Sequence, residues 1–175
     1  CRPPFNLVRA GIDLHGHFSV DTAPYELRPV LTWKARLASV RQMPRGSTIG
    51  YSRTYTVTQP EGERIGIVSI GYADGYLRSL SNEGEVLIRG RRCPIVGNVC
   101  MDFTMVSLEE VPDAAIGDEV VLIGSQEDEE LAITDVAETA GTISYELTCR
   151  LGQRVKRVYV DTDGRQSHDH RTGRH

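Results

Sequence analysis

The chain has 175 residues, with 20 basic and 24 acidic side chains and a formal net charge of −4. That length suits one domain, or one domain with a stub, and buries enough surface to need no disulfide scaffold. With 39% apolar and 25% charged residues it has the composition of a soluble globular protein. The acidity and the lack of a basic stripe argue against nucleic acid as the main partner, and no apolar run approaches a membrane span. Only Lys34 and Lys156 are lysines; the other basic residues are arginines.

In chain order, residues 5–12 read as a short strand entering a turn at Gly11. Pro24 and Pro29 make residues 16–32 irregular. Residues 35–43 alternate as a strand and end at the turn signal Pro44-Arg45-Gly46. Residues 53–58 are β-branched and aromatic, which favours a strand. Residues 64–70 read as a buried strand, and 85–89 with 92–96 as a hairpin around Gly90. Further strands are expected at 99–106 and 119–123. Thr134 can cap a helix whose apolar face is Val136, Ala137 and Ala140, and Gly141 can end it. Strands return at about 144–149 and 154–160, and the polar tail from Thr162 reads as disordered. The acidic run Glu127–Glu130 reads as a solvated loop. So many short strands predict a small barrel or sandwich, mainly β, with one or two short helices.

Four clusters place polar or soft side chains at strand ends or turns, where sites are commonly built. They are Gly50-Tyr51-Ser52, Gly71-Tyr72-Ala73-Asp74-Gly75, Cys100-Met101-Asp102 and Thr142-Ile143-Ser144-Tyr145-Glu146. Each is also compatible with ordinary turn packing. Gly71 and Gly75 have no lysine after them, so they do not make a phosphate loop. Cys1, Cys93, Cys100 and Cys149 lack zinc-site spacing and read as free thiols of a reducing cytoplasm, and no metal site is expected. His168, His170 and His175 fall in the polar tail.

Taken in order, these pieces resemble the C-terminal part of bacterial alanine racemase, an enzyme dependent on pyridoxal 5′-phosphate. The resemblance runs from about Val8 to Tyr159. It is carried by Val8-Arg9-Ala10-Gly11-Ile12, Gly50-Tyr51, Ile70-Gly71-Tyr72-Ala73-Asp74-Gly75-Tyr76-Leu77-Arg78, Pro94-Ile95-Val96-Gly97, Val99-Cys100-Met101-Asp102 and Gly141-Thr142-Ile143-Ser144-Tyr145-Glu146. It implies three segments. Residues 1–20 would be a remnant of the final strand and loop of an N-terminal (β/α)8 barrel, 21–161 a C-terminal β domain, and 162–175 a tail. With Cys1 in first place, the chain reads as a piece of a longer protein. The implied assembly is a head-to-tail homodimer in which the β domain of one subunit closes the barrel mouth of the other.

The implied activity interconverts L- and D-alanine, which supplies peptidoglycan synthesis. A racemase must remove a proton from one face of Cα and return one to the other, so two bases are needed. In the family one base is the cofactor-binding lysine of the barrel, and neither Lys34 nor Lys156 lies in that motif. The other is a tyrosine that matches Tyr51. A free phenol titrates at about 10, so its site must stabilise the phenolate or share its proton. Arg9 matches the arginine facing the pyridine nitrogen. The backbones of Gly11 and Ile12 and the hydroxyl of Tyr145 match phosphate contacts, where N–H groups suit an anion. Met101 matches a residue whose backbone meets the substrate carboxylate. Tyr72, Arg78, Asn98 and Ile143 match positions of the entrance. The sequence departs from the family at Asn98, where arginine is common, and at Ser52, Lys156 and His15. Two alternatives remain open: a racemase for serine or another amino acid, and a non-catalytic dimerisation or lid module. Alone, the chain is expected to be inactive.

Overall fold

A computed structural model of the chain describes residues 7, 11–17, 27–161 and 165–168. Among these described residues, eleven strands and two α-helices follow one another: β1 (Trp33–Met43), β2 (Thr48–Ile49), β3 (Tyr55–Thr56), β4 (Glu63–Val68), β5 (Glu85–Ile88), β6 (Arg91–Pro94), β7 (Thr104–Ser107), β8 (Glu119–Gln126), β9 (Glu129–Leu131), α1 (Ile133–Thr139), α2 (Ser144–Arg150), β10 (Val158–Val160) and β11 (Gln166–His168). The main sheet is antiparallel, in the order β6-β5-β8-β1-β4-β7, with β9 added to β8. Its edges meet: Ile95, just past β6, bridges Val106 in β7, and the Val96 N–H donates to the Met105 carbonyl at 2.9 Å. The sheet thus closes on itself as a barrel, which removes the exposed edges that an open sheet would carry. The expectation of a mainly β barrel with short helices holds.

The long strand β1 makes the closure possible. Its first four residues pair with β8, and from Leu37 onward it pairs with β4. Register shifts at Trp33/Lys34 and Leu37/Ser39 bend it between the two partners, as bulges do. Leu37, Val68, Val86, Leu87, Ile88, Val106, Val120, Val121 and Leu122 are all buried; because successive strand residues face opposite sides, they form core on both faces of the sheet. Each large aliphatic side chain buried there contributes about 1.5–3 kcal/mol. Trp33 meets Tyr76 edge-on, with ring centroids 5.8 Å apart, and burial drives the Tyr76 phenol far above its usual range.

The expected hairpin forms around a two-residue turn, one residue earlier than the sequence suggested. Ile88 pairs with Arg91, and Arg89 and Gly90 both take left-handed backbone (φ 50 and 67), the conformation of a type I′ turn. Helix α1 begins at Ile133, so Thr134 lies in its first turn; Ala132 is the N-cap and provides no side-chain bond. Ile133, Val136 and Ala137 bury its inner face. Gly141 (φ 70) ends it as expected, with the Thr142 N–H reaching back to the Ala137 carbonyl at 2.9 Å, a Schellman closure.

Five expectations need correction. Residues 144–149 form a helix, not a strand. Ile143, Leu147 and Leu151 recur every four residues, Leu147 is buried, and Arg150 pairs with Glu146 across one turn at 3.3 Å. The same stretch also alternates, and short apolar runs satisfy both periods. The expected strand 53–58 shrinks to Tyr55–Thr56, because Tyr51–Arg53 is a 3-10 turn. The expected strand 99–106 starts only at Thr104. At the other end, the polar stretch after residue 162 holds strand β11, which pairs with β10, so Val158–Val160 is all that remains of the strand expected at 154–160. The expected strand over 5–12 falls largely outside the described residues, and Ile12 opens a 3-10 turn, Ile12–His15.

No helix among the described residues is long and apolar enough to cross a membrane. Cys93, Cys100 and Cys149 are free, with Cys93 buried and Cys149 exposed. Burial, reinforced by Glu110 and Glu85, pushes the Cys93 thiol up to about 12. A thiol reagent at neutral pH should therefore modify Cys149 rapidly and Cys93 only after unfolding, because the thiolate is the reactive form. Peptide mass mapping of a labelling time course checks this; early modification of Cys93 would contradict the packing described.

Candidate functional site

Tyr51 stands on a turn that its neighbours force outward. Gly50 precedes it at φ 72, and Ser52 and Arg53 follow in left-handed conformation at φ 62 and 52. Non-glycine residues adopt that region only where the surroundings impose it. A Cβ on Gly50 would lie 2.9 Å from Met105 Cε and 3.3 Å from the Asn98 nitrogen, so glycine is needed for the close approach. The Asn98 side-chain amide then donates to the Tyr51 carbonyl at 2.7 Å. The result is a phenol that is 76% exposed on a backbone held from behind.

A second pair of loops lies along the same connection. The N–H groups of Tyr72 and Ala73 donate to the carbonyls of Cys100 and Met101, each at 3.0 Å. Gly71 permits this contact, since a Cβ there would come within 2.3 Å of both carbonyl oxygens. Tyr72, Met101 and Phe103 present exposed side chains beside these joints. Asp74 accepts the Gly71 N–H at 2.9 Å and the Arg154 Nε–H at 2.6 Å. Arg154 also donates to Asp102 at 2.5 Å. The two carboxylates hold the guanidinium firmly charged, and it ties the turn bearing Tyr72 to the loop bearing Met101.

Helix α2 joins this region to a further group. At its C-terminal end, Gly75 packs so tightly that a Cβ would fall 1.9 Å from the Arg150 carbonyl oxygen, and the Gly152 N–H donates to the Asp74 carbonyl at 2.7 Å. Near its N-terminal end, Tyr145 faces Gly11: a Cβ on Gly11 would sit 3.7 Å from the Tyr145 hydroxyl oxygen. A backbone without a side chain beside a phenolic hydroxyl suits a small oxyanion, and the phosphate of pyridoxal phosphate fits that donor set. Ile12 is buried beneath Gly11, and Ile143 is exposed next to α2. Thr142 donates to the Glu146 carboxylate and, with Arg150, lowers its titration.

The sequence-predicted residues thus fall into two groups. Tyr51, Tyr72, Met101 and Asn98 lie on loops stitched to one another; Gly11, Ile12, Ile143 and Tyr145 gather around α2. Arg78 is exposed in the turn Arg78–Leu80, which is braced on α1 through the Ser79 hydroxyl and the Ala140 carbonyl at 2.9 Å. Asn98 is buried rather than facing solvent. Arg9 lies outside the described residues. Sequence reasoning missed Arg154 and the roles of Asp74, Asp102 and Asn82. Asp74 and Asp102 lay inside quoted motifs, but nothing local signals a partner 80 residues away. Another feature of the barrel wall is the buried Glu63, which accepts the Tyr55 hydroxyl at 2.8 Å. Burial and that carboxylate push the Tyr55 phenol up to about 12.

Residues 30–159 match the family model described as alanine racemase, C-terminal domain. Among curated relatives, an alanine racemase of Halothermothrix orenii is 47% identical over 161 residues, 91% of this chain and 42% of the relative. One from Cutibacterium acnes is 48% identical over 159 residues, 89% of this chain and 41% of the relative. Among solved structures, alanine racemase from Bacillus anthracis with bound L-Ala-P superposes with a TM-score of 0.82 at 39% identity, covering 89% of this chain and 40% of that one. The enzyme from Bartonella henselae with covalently bound pyridoxal phosphate gives 0.78 at 32% identity, covering 86% and 40%. The chain therefore spans about two-fifths of the length of the proteins it matches.

Proposed function

The chain belongs to the alanine racemase C-terminal domain family, and from that premise we propose that it is the lid half of an amino-acid racemase acting on L- and D-alanine. In this reading it works as a head-to-tail homodimer with an N-terminal barrel, in the cytoplasm, and serves peptidoglycan synthesis. The observation that carries the proposal is Tyr51: a phenol held outward on a strained, braced turn, with no packing role in its own domain. Such a group is placed to act on something bound by another surface.

Each of the chain's residues then has a task. Tyr51 gives or takes a proton at one face of the substrate Cα, the role that the barrel lysine plays at the other face. Met101 meets the substrate carboxylate; its carbonyl is committed to Ala73, so the backbone group that suits an anion is its N–H. Gly11, Ile12 and the Tyr145 hydroxyl hold the cofactor phosphate. Arg9 would meet the pyridine nitrogen, and a guanidinium, which does not give up a proton, would leave that nitrogen unprotonated. Tyr72, Arg78, Asn98 and Ile143 border the entrance, Asn98 from beneath. The cofactor supplies the electron sink for the charge left at Cα.

The test joins the chain to the barrel of a relative and follows L- to D-alanine conversion by chiral chromatography. Conversion is expected from the joined protein. The 175-residue chain alone should show neither conversion nor the visible absorbance of tightly bound pyridoxal phosphate. An inactive but folded and cofactor-loaded joined protein would overturn the proposal.

A further inference from the structure

The Tyr51 turn is gripped from a corner that carries none of the proposed reacting groups. Asn82 takes left-handed backbone (φ 61). Its side-chain oxygen accepts the Gly97 N–H at 2.6 Å, and its side-chain nitrogen donates to Thr54 Oγ1 at 3.1 Å. Thr54 caps the C-terminal end of the Tyr51 turn. Gly97 directly precedes Asn98, which holds the Tyr51 carbonyl from the other end. Beside it, the Ser81 hydroxyl accepts the Val99 N–H at 3.0 Å and donates to the Arg78 carbonyl at 2.5 Å. One corner therefore fixes two points of the 97–99 segment, the Gly97 and Val99 N–H groups, and one end of the turn.

We propose that Asn82 is a positioning residue for proton transfer by Tyr51, setting the distance between the Tyr51 turn and the loop that presents Met101. The inference rests on the Tyr51 reading above. An amide suits the position because Gly97 needs an acceptor while the Thr54 oxygen takes a donor. A carboxylate serves nearly as well, since the Thr54 hydroxyl can rotate and donate to it. Asn82 itself is exposed, so removing its side chain sacrifices little packing, and glycine tolerates its left-handed backbone.

The experiment uses the joined, cofactor-loaded dimer with Asn82→Gly and Asn82→Asp, measuring kcat, KM and the Cα-deuterium isotope effect for each alanine enantiomer. In Asn82→Gly, kcat should fall by about 10- to 100-fold, the scale of a small misplacement of a reacting group, with visible absorbance and melting retained. The isotope effect should rise for the enantiomer whose proton Tyr51 removes and fall for the other, because only one of the two proton transfers is slowed. Asn82→Asp should restore both quantities towards the parent. Thr54→Val, which keeps the shape and loses the hydroxyl, should shift the isotope effects in the same direction and carries the test if Asn82→Gly does not assemble. Unchanged kcat, or a fall in kcat with both isotope effects unaltered, would overturn the proposal. If Tyr51→Phe itself leaves racemisation intact, it is the assignment of Tyr51 that fails.

Discussion

Replacing Tyr51 by phenylalanine in the joined racemase should lower kcat in both directions by about a hundredfold to ten-thousandfold, the usual contribution of one positioned acid–base group. The substitution removes one oxygen and keeps the ring. Tyr51 is 76% exposed, and it is the Tyr51 backbone carbonyl that Asn98 holds. Nothing that supports the turn is therefore lost, and the melting temperature should not move. Both directions must suffer, since each requires one transfer at each face of Cα. Steady-state kinetics from L- and from D-alanine, alongside thermal melting, check this. Normal turnover in both directions would remove Tyr51 from the mechanism.

The second large effect concerns Gly75, where two costs coincide. Its φ of 103 is a conformation that side chains resist, at about 1–3 kcal/mol. In addition, a Cβ would lie 1.9 Å from the Arg150 carbonyl oxygen, a backbone atom that cannot swing aside. Gly75→Ala must therefore push α2 away from the turn bearing Tyr72, and it should destabilise the chain by about 4 kcal/mol, in the range reserved for severe backbone or core damage. For a domain of this size that corresponds to a fall of about 10 °C in melting temperature. Gly117→Ala provides the comparison. Its φ is 94, but no atom lies within 4 Å of the added carbon, so only the conformational cost of about 1 kcal/mol remains. Equal losses at the two positions would contradict the close contact between α2 and the turn.

The parts of the fold legible in the sequence were those fixed by short-range rules. Gly90 between two strand patterns specified the hairpin of β5 and β6, the alternation from Ala35 specified β1, and Gly141 stopped α1. The helix α2 was not legible, because residues 144–150 satisfy a strand period as well as a helical one. What decides is tertiary: Leu147 has a core to enter, and the Arg150 carbonyl has Gly75 to meet. The strand expected from Arg53 begins only at Tyr55, because nothing local tells that Ser52 and Arg53 adopt left-handed backbone.

The site itself was legible as a set of motifs rather than as a geometry. Gly11 and Tyr145, far apart in sequence, were each assigned to a phosphate, and they face each other. The devices that hold the loops were invisible: Arg154 reaching Asp74 and Asp102, and Asn82 bridging Thr54 and Gly97, are long-range pairings of ordinary polar residues. Motif order nominates the groups to be tested; it does not report what keeps them in place.

The central claim is that Tyr51 acts in the active site of the opposite subunit, and subunit mixing tests it directly. One inactive dimer carries Tyr51→Phe; the other lacks the cofactor-binding lysine of the barrel. In a head-to-tail dimer, random reassembly of the two should give mixed dimers in which one site regains both bases, restoring about a quarter of the parent activity. Mixed dimers that remain inactive would mean that Tyr51 serves its own subunit's site.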